Sequence, residues 1–368
     1  MTTRSEGQPL PSIQEATQRL QRLQSTHAYS TSALASLQSD AVSAYHVCLD
    51  TERQATYQRV KMDVIRARVL GYLTLEAPSI PALAEIVKVI HSCKGSHDKL
   101  SELGQSFIDY FIRAFRKFKG QTPGSSSHPS RPSFDEDKEK VKTEIERARA
   151  RWATAKQAAL QRDDYRCMVK GVIDSHSLPL FDPQTWDEAG SSATECAHIV
   201  PDSTYFRLSN DDKKDYSASV LAVLQRFGYD IKKINGSNVH SLFNILTLDH
   251  TIHDFFDRLK CWFEATNVEN CYWVVLAPPY DKAYNSLGVR RQVTFRSSDP
   301  EKLPLPSPEL LALHAACAKV AHLSGAAEHV DKLNREAESS TVLAADGGSS
   351  ELLNYAIMQG MRSIHIGA

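Results

Sequence analysis

The seven cysteines of this chain include no Cys-x-x-Cys pair, and each of its other absences also removes a class of protein. Cys48, Cys93, Cys167, Cys196, Cys261, Cys271 and Cys317 lack the ligand spacing of a zinc ribbon or knuckle. Their odd number and wide spacing point to reduced, mostly buried thiols. No window approaches about 18 uninterrupted apolar residues, so no membrane span is expected. The first residues, MTTRSEGQPLPSIQ, lack the apolar stretch of a signal peptide. An intracellular protein, cytoplasmic or nuclear, is the expectation. Charge of one sign is missing too. With 43 basic and 44 acidic residues the formal net charge is -1, so any surface for phosphate must be a local patch.

What is present divides the chain. The 368 residues, 42% of them hydrophobic, suffice for two or three compact units. Residues 1–119 read as helices. Ser12-x-x-Glu15 is a capping box, an amphipathic stretch runs near 51–75, and Ser79 with Pro81 looks like a helix start. Another apolar helix covers 107–118. Residues 120–134 are rich in Gly, Pro and Ser and form the clearest linker. A charged helix connects at 135–162. From 163 to 300 the texture is mixed. It has a β-like run at 165–169, a strand within 193–200, a helix near 210–227 and a short helix at 249–260. Cys271–Leu276 and 292–295 look like paired strands. Residues 301–368 read as a helical tail, capped at Ser307 with Pro308 in first position. Its stretch 338–350 is a loose connection, with a last short helix after it.

Two segments carry chemistry. One is ECAHIVP, 195–201; the other is SLFNILTLDHTIHDFFD, 241–257. A lone histidine in an apolar strand is usually a core residue. Here, however, Asn244 lies nine residues before His253, and Phe256 and Asp257 follow His253 at +3 and +4. These pieces resemble the His-Asn-His signature of the HNH endonuclease superfamily, in the branch written A-H-I-x-P, N-x-x-x-L and H-x-x-F-D. The segment from Arg162 to the strand at 271–276 looks like the HNH domain found in many fungal proteins.

The resemblance implies an α+β fold in which a ββα-metal nuclease core is embedded in a mostly helical chain. It implies a metal-dependent endonuclease acting on nucleic acid, DNA first. His198 would be the general base, since an imidazole titrates near neutral pH. Asn244 would orient His198 or tie the loop through its amide, and His253 would hold one divalent metal. In many relatives the residue before the catalytic histidine is a metal ligand; here it is Ala197, which cannot ligate. Glu195 could substitute, because alternate residues of a strand share a face; Asp249, His250 and Asp254 are other candidates near His253. Asp257, His250 and Arg258 would support the ligands or touch substrate. Mg²⁺ suits a water-rich shell, and an imidazole ligand also admits Mn²⁺, Ni²⁺ or Zn²⁺. The alternative is a catalytically silent HNH-fold module for nucleic-acid or protein binding. The helical flanks would then serve as a scaffold for a protein partner or self-association.

Several arginines leave two readings open. Arg113, Arg116, Lys117 and Lys119, and Arg147, Arg149, Arg151, Lys156 and Arg162, form either solvated helix faces or patches that track a phosphate backbone. His240 is read as structural or substrate-contacting.

Overall fold

Ser12 starts the first helix as its capping box requires. Its side chain accepts from the Glu15 N–H at 3.3 Å, and the Glu15 carboxylate accepts from the Ser12 N–H at 3.0 Å. The structure, a computed structural model, describes residues 7–22, 31–116, 152–201, 211–339, 342–343 and 365–366. Helix α1 (Ile13–Gln21) is followed by α2 (Thr31–Gln58) and α3 (Lys61–Leu75). The stretch expected near 51–75 is therefore broken in two. Arg59 adopts φ +60°, and the Val60 N–H donates back to the Ala55 carbonyl at 3.0 Å. That closes a helix in the way a C-terminal glycine usually does, but no glycine marks it. Helix α4 (Ile80–Ser92) is capped by Ser79, with Pro81 in its first turn. Helix α5 (His97–Phe107) runs through a π-helical turn at Ile108–Ile112 into Arg113–Phe115. Arg113 and Arg116 are buried, not solvated: Arg113 pairs with Asp109 at 2.9 Å, and Arg116 with Asp331 and the Ala327 carbonyl.

The Gly/Pro/Ser-rich segment 120–134 lies outside the described residues, as do Lys117, Lys119, Arg147, Arg149 and Arg151. The chain resumes with α6 (Trp152–Arg162). The β-like run expected at 165–169 is instead a tight reversal. Asp164 and Tyr165 have φ +52° and +54°, and only Arg166 bridges to Ile173. Then follow β1 (Ile173–Asp174), α7 (Pro183–Ala189), β2 (Ser191–Ser192), β3 (Thr194–His198), α8 (Asp211–Arg226), β4 (Ile245–Asp249) and α9 (His250–Asp257). Strands β1 and β2 are parallel. Strands β3 and β4 are antiparallel, with Glu195 opposite Leu248 and His198 opposite Ile245.

Helix α9 ends three residues before the expected position 260. Leu259 turns to φ +58° and the Lys260 N–H donates to Phe255 O at 2.7 Å, again a left-handed close without glycine. Strands β5 (Cys261–Ala265), β6 (Cys271–Leu276) and β7 (Gln292–Thr294) form one antiparallel sheet in that order. The β6–β7 pairing matches the sequence reading, and β5 is an addition to it. Helix α10 (Pro308–Ser324) is capped by Ser307, and α11 (Ala326–Ser339) follows. Val342–Leu343 pairs in parallel with His365–Ile366; the other residues of the expected loose connection and last helix lie outside the described ones.

The architecture is α+β. Helix α10 packs against both α3 and β5. Buried apolar residues consequently form one continuous core, from Leu20, Tyr45 and Leu73 through Phe111 and Leu313 to Ala197, Leu246 and Phe256. No single described helix is long and apolar enough to cross a membrane; α10 joined to the start of α11 reaches that length only with an 81° bend.

Candidate active site

Strand β3 is fixed at its start before it presents anything. The buried Asp174 carboxylate accepts from the Thr194 hydroxyl at 2.7 Å, the Thr194 N–H at 3.2 Å and the Ser177 hydroxyl at 2.9 Å. Burial works to raise this carboxyl, but those donors outweigh it and hold it below the ordinary range. Strand β4 is fixed at its end. Asp249 caps α9 by accepting from Ile252 N–H at 3.1 Å, and it receives Ser192 Oγ at 2.8 Å and Lys170 Nζ at 2.9 Å. Burial again raises, while Lys170 and the hydrogen bonds prevail and lower. Helix α9 therefore leaves β4 in one direction, with its N-terminus anchored by an acid that suits the helix dipole.

His250 and His253 are one turn apart on α9 and share a face. That face meets Glu195. One carboxylate oxygen lies 2.5 Å from His253 Nδ1 and the other 3.1 Å from His250 Nδ1. The far ring nitrogen of His253 is 3.3 Å from Asp257 Oδ2. His253 is thus gripped from both sides by carboxylates, at 9% side-chain exposure, while His250 opens to solvent at 74%. Burial pushes the Glu195 carboxyl up, but hydrogen bonds from His253 and then His250 bring it below its usual value. Ala197, on the same strand face, is fully buried.

His198 closes β3 and is buried. Its Nε2 faces His240 Nδ1 at 3.0 Å, with the rings tilted 64° to each other. Asn244 does not address either imidazole with the hydrogen bonds its amide makes. Its Oδ1 accepts from Val200 N–H at 2.8 Å, and its Nδ2 donates to Val200 O at 3.0 Å and Val239 O at 2.9 Å. The Ile199 N–H donates to the Asn244 carbonyl at 2.9 Å. Asn244 thereby clips the segment after β3 to the turn that carries His240. Of the two roles open to it in the sequence, the geometry displays loop tying.

Arg162 supports the same region from behind. Its side chain is fully buried, bidentate on Asp163 at 2.7 and 2.8 Å, and it donates to the carbonyls of Leu242 at 2.7 Å and Ile245 at 2.9 Å. It is neither a solvated arginine nor a phosphate contact. Arg258 lies just past α9, paired with Asp254 at 2.8 Å on an exposed face, without a hydrogen bond or ion pair to the Glu195 group. Behind α9, His314 stacks on Phe256 at 3.8 Å between ring centres and lies 3.2 Å from its carbonyl oxygen. Complete burial drives this histidine down to about 4. His314 escaped the sequence reading of the site, and His240 and Arg162 were named there without these partners, since no spacing links the three to the motif.

The donors around His253 are two carboxylates and two imidazoles, types that a divalent cation accepts. By chemistry they fit one. In the present arrangement Glu195 hydrogen-bonds to both imidazoles, Asp257 stands at ion-pair distance from His253, and among the described residues no three acidic, histidine or cysteine side chains converge to hold an ion. For both to ligate one ion, the Glu195–His253 hydrogen bond must open to admit it. All seven cysteines are buried free thiols. Cys167 is raised by burial and receives N–H groups of Lys170 at 3.4 Å and Asp249 at 3.2 Å, a structural use for its sulfur.

No curated protein and no solved structure matches this chain. Residues 167–264, from the reversal beside Arg166 into β5, match the family model described as HNH endonuclease, which supports the HNH superfamily for this segment and suggests nuclease activity.

Proposed function

We propose that residues 163–300 form a ββα-metal nuclease unit, made of β3, β4 and α9, that hydrolyses phosphodiester bonds in nucleic acid, DNA in the first instance. The observation that carries this reading is the meeting of Glu195 with His253. The residue beside Ala197 on the strand face reaches the motif histidine at 2.5 Å, so a carboxylate is available where the expected ligand is missing.

His198 acts as general base and takes the proton of the attacking water. A base works when held in one tautomer and one direction. The 3.0 Å contact with His240 and the Asn244 clip supply that hold. His253 and Glu195 hold a divalent ion, Mg²⁺ or a comparable metal, and Asp257 steadies the His253 ring from its far nitrogen. Such an ion, when bound, supplies Lewis-acid polarisation of the phosphate and relief of charge on the leaving oxygen. Exposed His250 stands on the solvent side of Glu195, where substrate enters.

A second reading, a silent HNH-fold module for nucleic-acid or protein binding, draws on one observation. Ala197 is buried, and Glu195 is engaged by His250 and His253 while Asp257 faces His253, all without an ion. Plasmid nicking under Mg²⁺, Mn²⁺, Ni²⁺ and Zn²⁺ separates the two. The nuclease reading expects chelator-sensitive cleavage that Glu195→Gln and His253→Ala each reduce at least tenfold, the effect of losing a ligand or its support. Absence of cleavage with every metal, together with a melting temperature that ignores both metal and chelator, establishes the silent module instead.

A further inference from the structure

The molecule is nearly neutral overall, yet it gathers guanidinium groups in one place. An open cleft of about 430 Å³ lies between the reversal at 161–171 and the strand end at 294–298, and it is lined by Arg162, Arg166, Arg290 and Arg296. Two carboxylates share it, Asp163 and Asp164. Asp163 is spent on the buried Arg162. Asp164 is largely in solvent and only 3.8 Å from Arg166. Arg290 and Arg296 are exposed and have no ion pair among the described residues.

Gly171 is the floor that assembles them. Its carbonyl accepts from Arg166 Nη1 at 3.1 Å. Its φ is +78°, and a Cβ added there would stand 2.1 Å from the Arg290 guanidinium, so Arg290 lies across bare backbone. Two like charges over one glycine repel, and an anion between them removes that cost. A planar fork of donors on each side suits phosphate oxygens.

The position favours a substrate strand. Met168 N–H, beside the cleft, donates to Thr247 O of β4 at 2.9 Å, and Thr247 pairs with Cys196 of β3. The cleft wall thus stands two strand spacings, on the order of 10 Å, from the strand that carries Glu195 and His198. We propose that the cleft over Gly171 binds the phosphodiester backbone flanking the scissile phosphate, through Arg166, Arg290 and Arg296. This inference rests on the nuclease reading and gives the near-neutral chain its local phosphate surface.

The test measures anisotropy of a labelled DNA duplex with the full chain in chelator, where nothing is cut, across a salt series. Arg290→Ala/Arg296→Ala is expected to weaken binding about tenfold or more and to lower the slope of log affinity on log salt by about two. Lys99→Ala, exposed on α5, changes neither. Gly171→Ala, which displaces Arg290, reproduces about half the loss in slope, and its melting curve shows that it is folded. Unchanged affinity and slope in the double variant, while the wild type still nicks plasmid, overturn the cleft and leave the nuclease reading standing. A wild type that neither binds duplex nor nicks overturns both. Displacement of the duplex by a free mononucleotide at an equal concentration of phosphate overturns the backbone assignment, since a small-anion site would behave so.

Discussion

The helical bundle of α1–α5 and the segment of β3, β4 and α9 share one apolar core but bury polar groups in different ways. In the bundle and the turn after α5, each buried carboxylate has two partners: Glu52 takes Arg68 and the Leu10 N–H, and Asp109 takes Arg113 and Gln105. In the β3–β4–α9 segment buried polar side chains form branched networks: Asp174, Asp249, Arg162 and Asn244 each bond three or more groups. Every buried histidine among the described residues, His198, His240, His253 and His314, lies in or behind that segment. A carboxylate with two partners ties few pieces of the chain. A network fixes several pieces of backbone at once, which a reacting constellation requires.

If this contrast is right, the largest effect comes from cutting the network at Arg162. Arg162→Met leaves Asp163 buried and strips donors from Leu242 and Ile245, so denaturant melts should lose about 3–5 kcal/mol. A loss below about 1 kcal/mol, the size of an ordinary surface change, would place Arg162 on a par with a solvated arginine and dissolve the contrast.

Next is acid stability. Neutral His314 is buried at a value near 4 against 6.5 in a free chain. The unfolded chain takes up this proton below about pH 6.5 and the folded one only near pH 4. The stabilisation is therefore full above 6.5 and drains as pH falls towards 4, by on the order of 3 kcal/mol. His314→Phe keeps the stack on Phe256 and removes the titration. Its stability between pH 6.5 and 4 should be flatter than that of the wild type, and parallel curves would show that another group controls the acid limb.

A smaller effect, on activity alone, is expected at His240. His240→Gln should lower nicking about 10- to 100-fold, as loss of an orienting partner does, while the melting temperature holds. An activity equal to wild type would detach His240 from His198. Smallest is the bundle's own signal. Ser12→Ala removes the α1 cap and should cost about 1 kcal/mol with no change in nicking.

The legible parts were those whose physics is local. A capping box, a serine before a proline and a five-residue apolar strand act over neighbours, and Ser12, Ser79 and β3 follow directly. The break at Arg59–Val60 and the end of α9 at Leu259 were not legible, because both helices close through left-handed non-glycine residues. Strand β5 was missed for the same reason, since it begins where α9 unexpectedly stops. Arg162 sits on a charged helix whose pattern is that of a solvated face; its burial depends on carbonyls 80 and 83 residues away. The motif named His198, Asn244 and His253. It left Asn244 between orienting His198 and tying the loop, and offered Glu195 as one of several candidates beside His253, because the choice depends on how β3 registers against β4.

The central claim is that His198 is the base of a phosphodiester hydrolase. Nicking of supercoiled plasmid by the wild type and by His198→Ala, in the same metal and beside a melt of each, tests it most directly. The account predicts metal-dependent nicking that falls by about 10²–10⁴-fold in the variant with a cooperative melt preserved. Equal cleavage by the two proteins would contradict it.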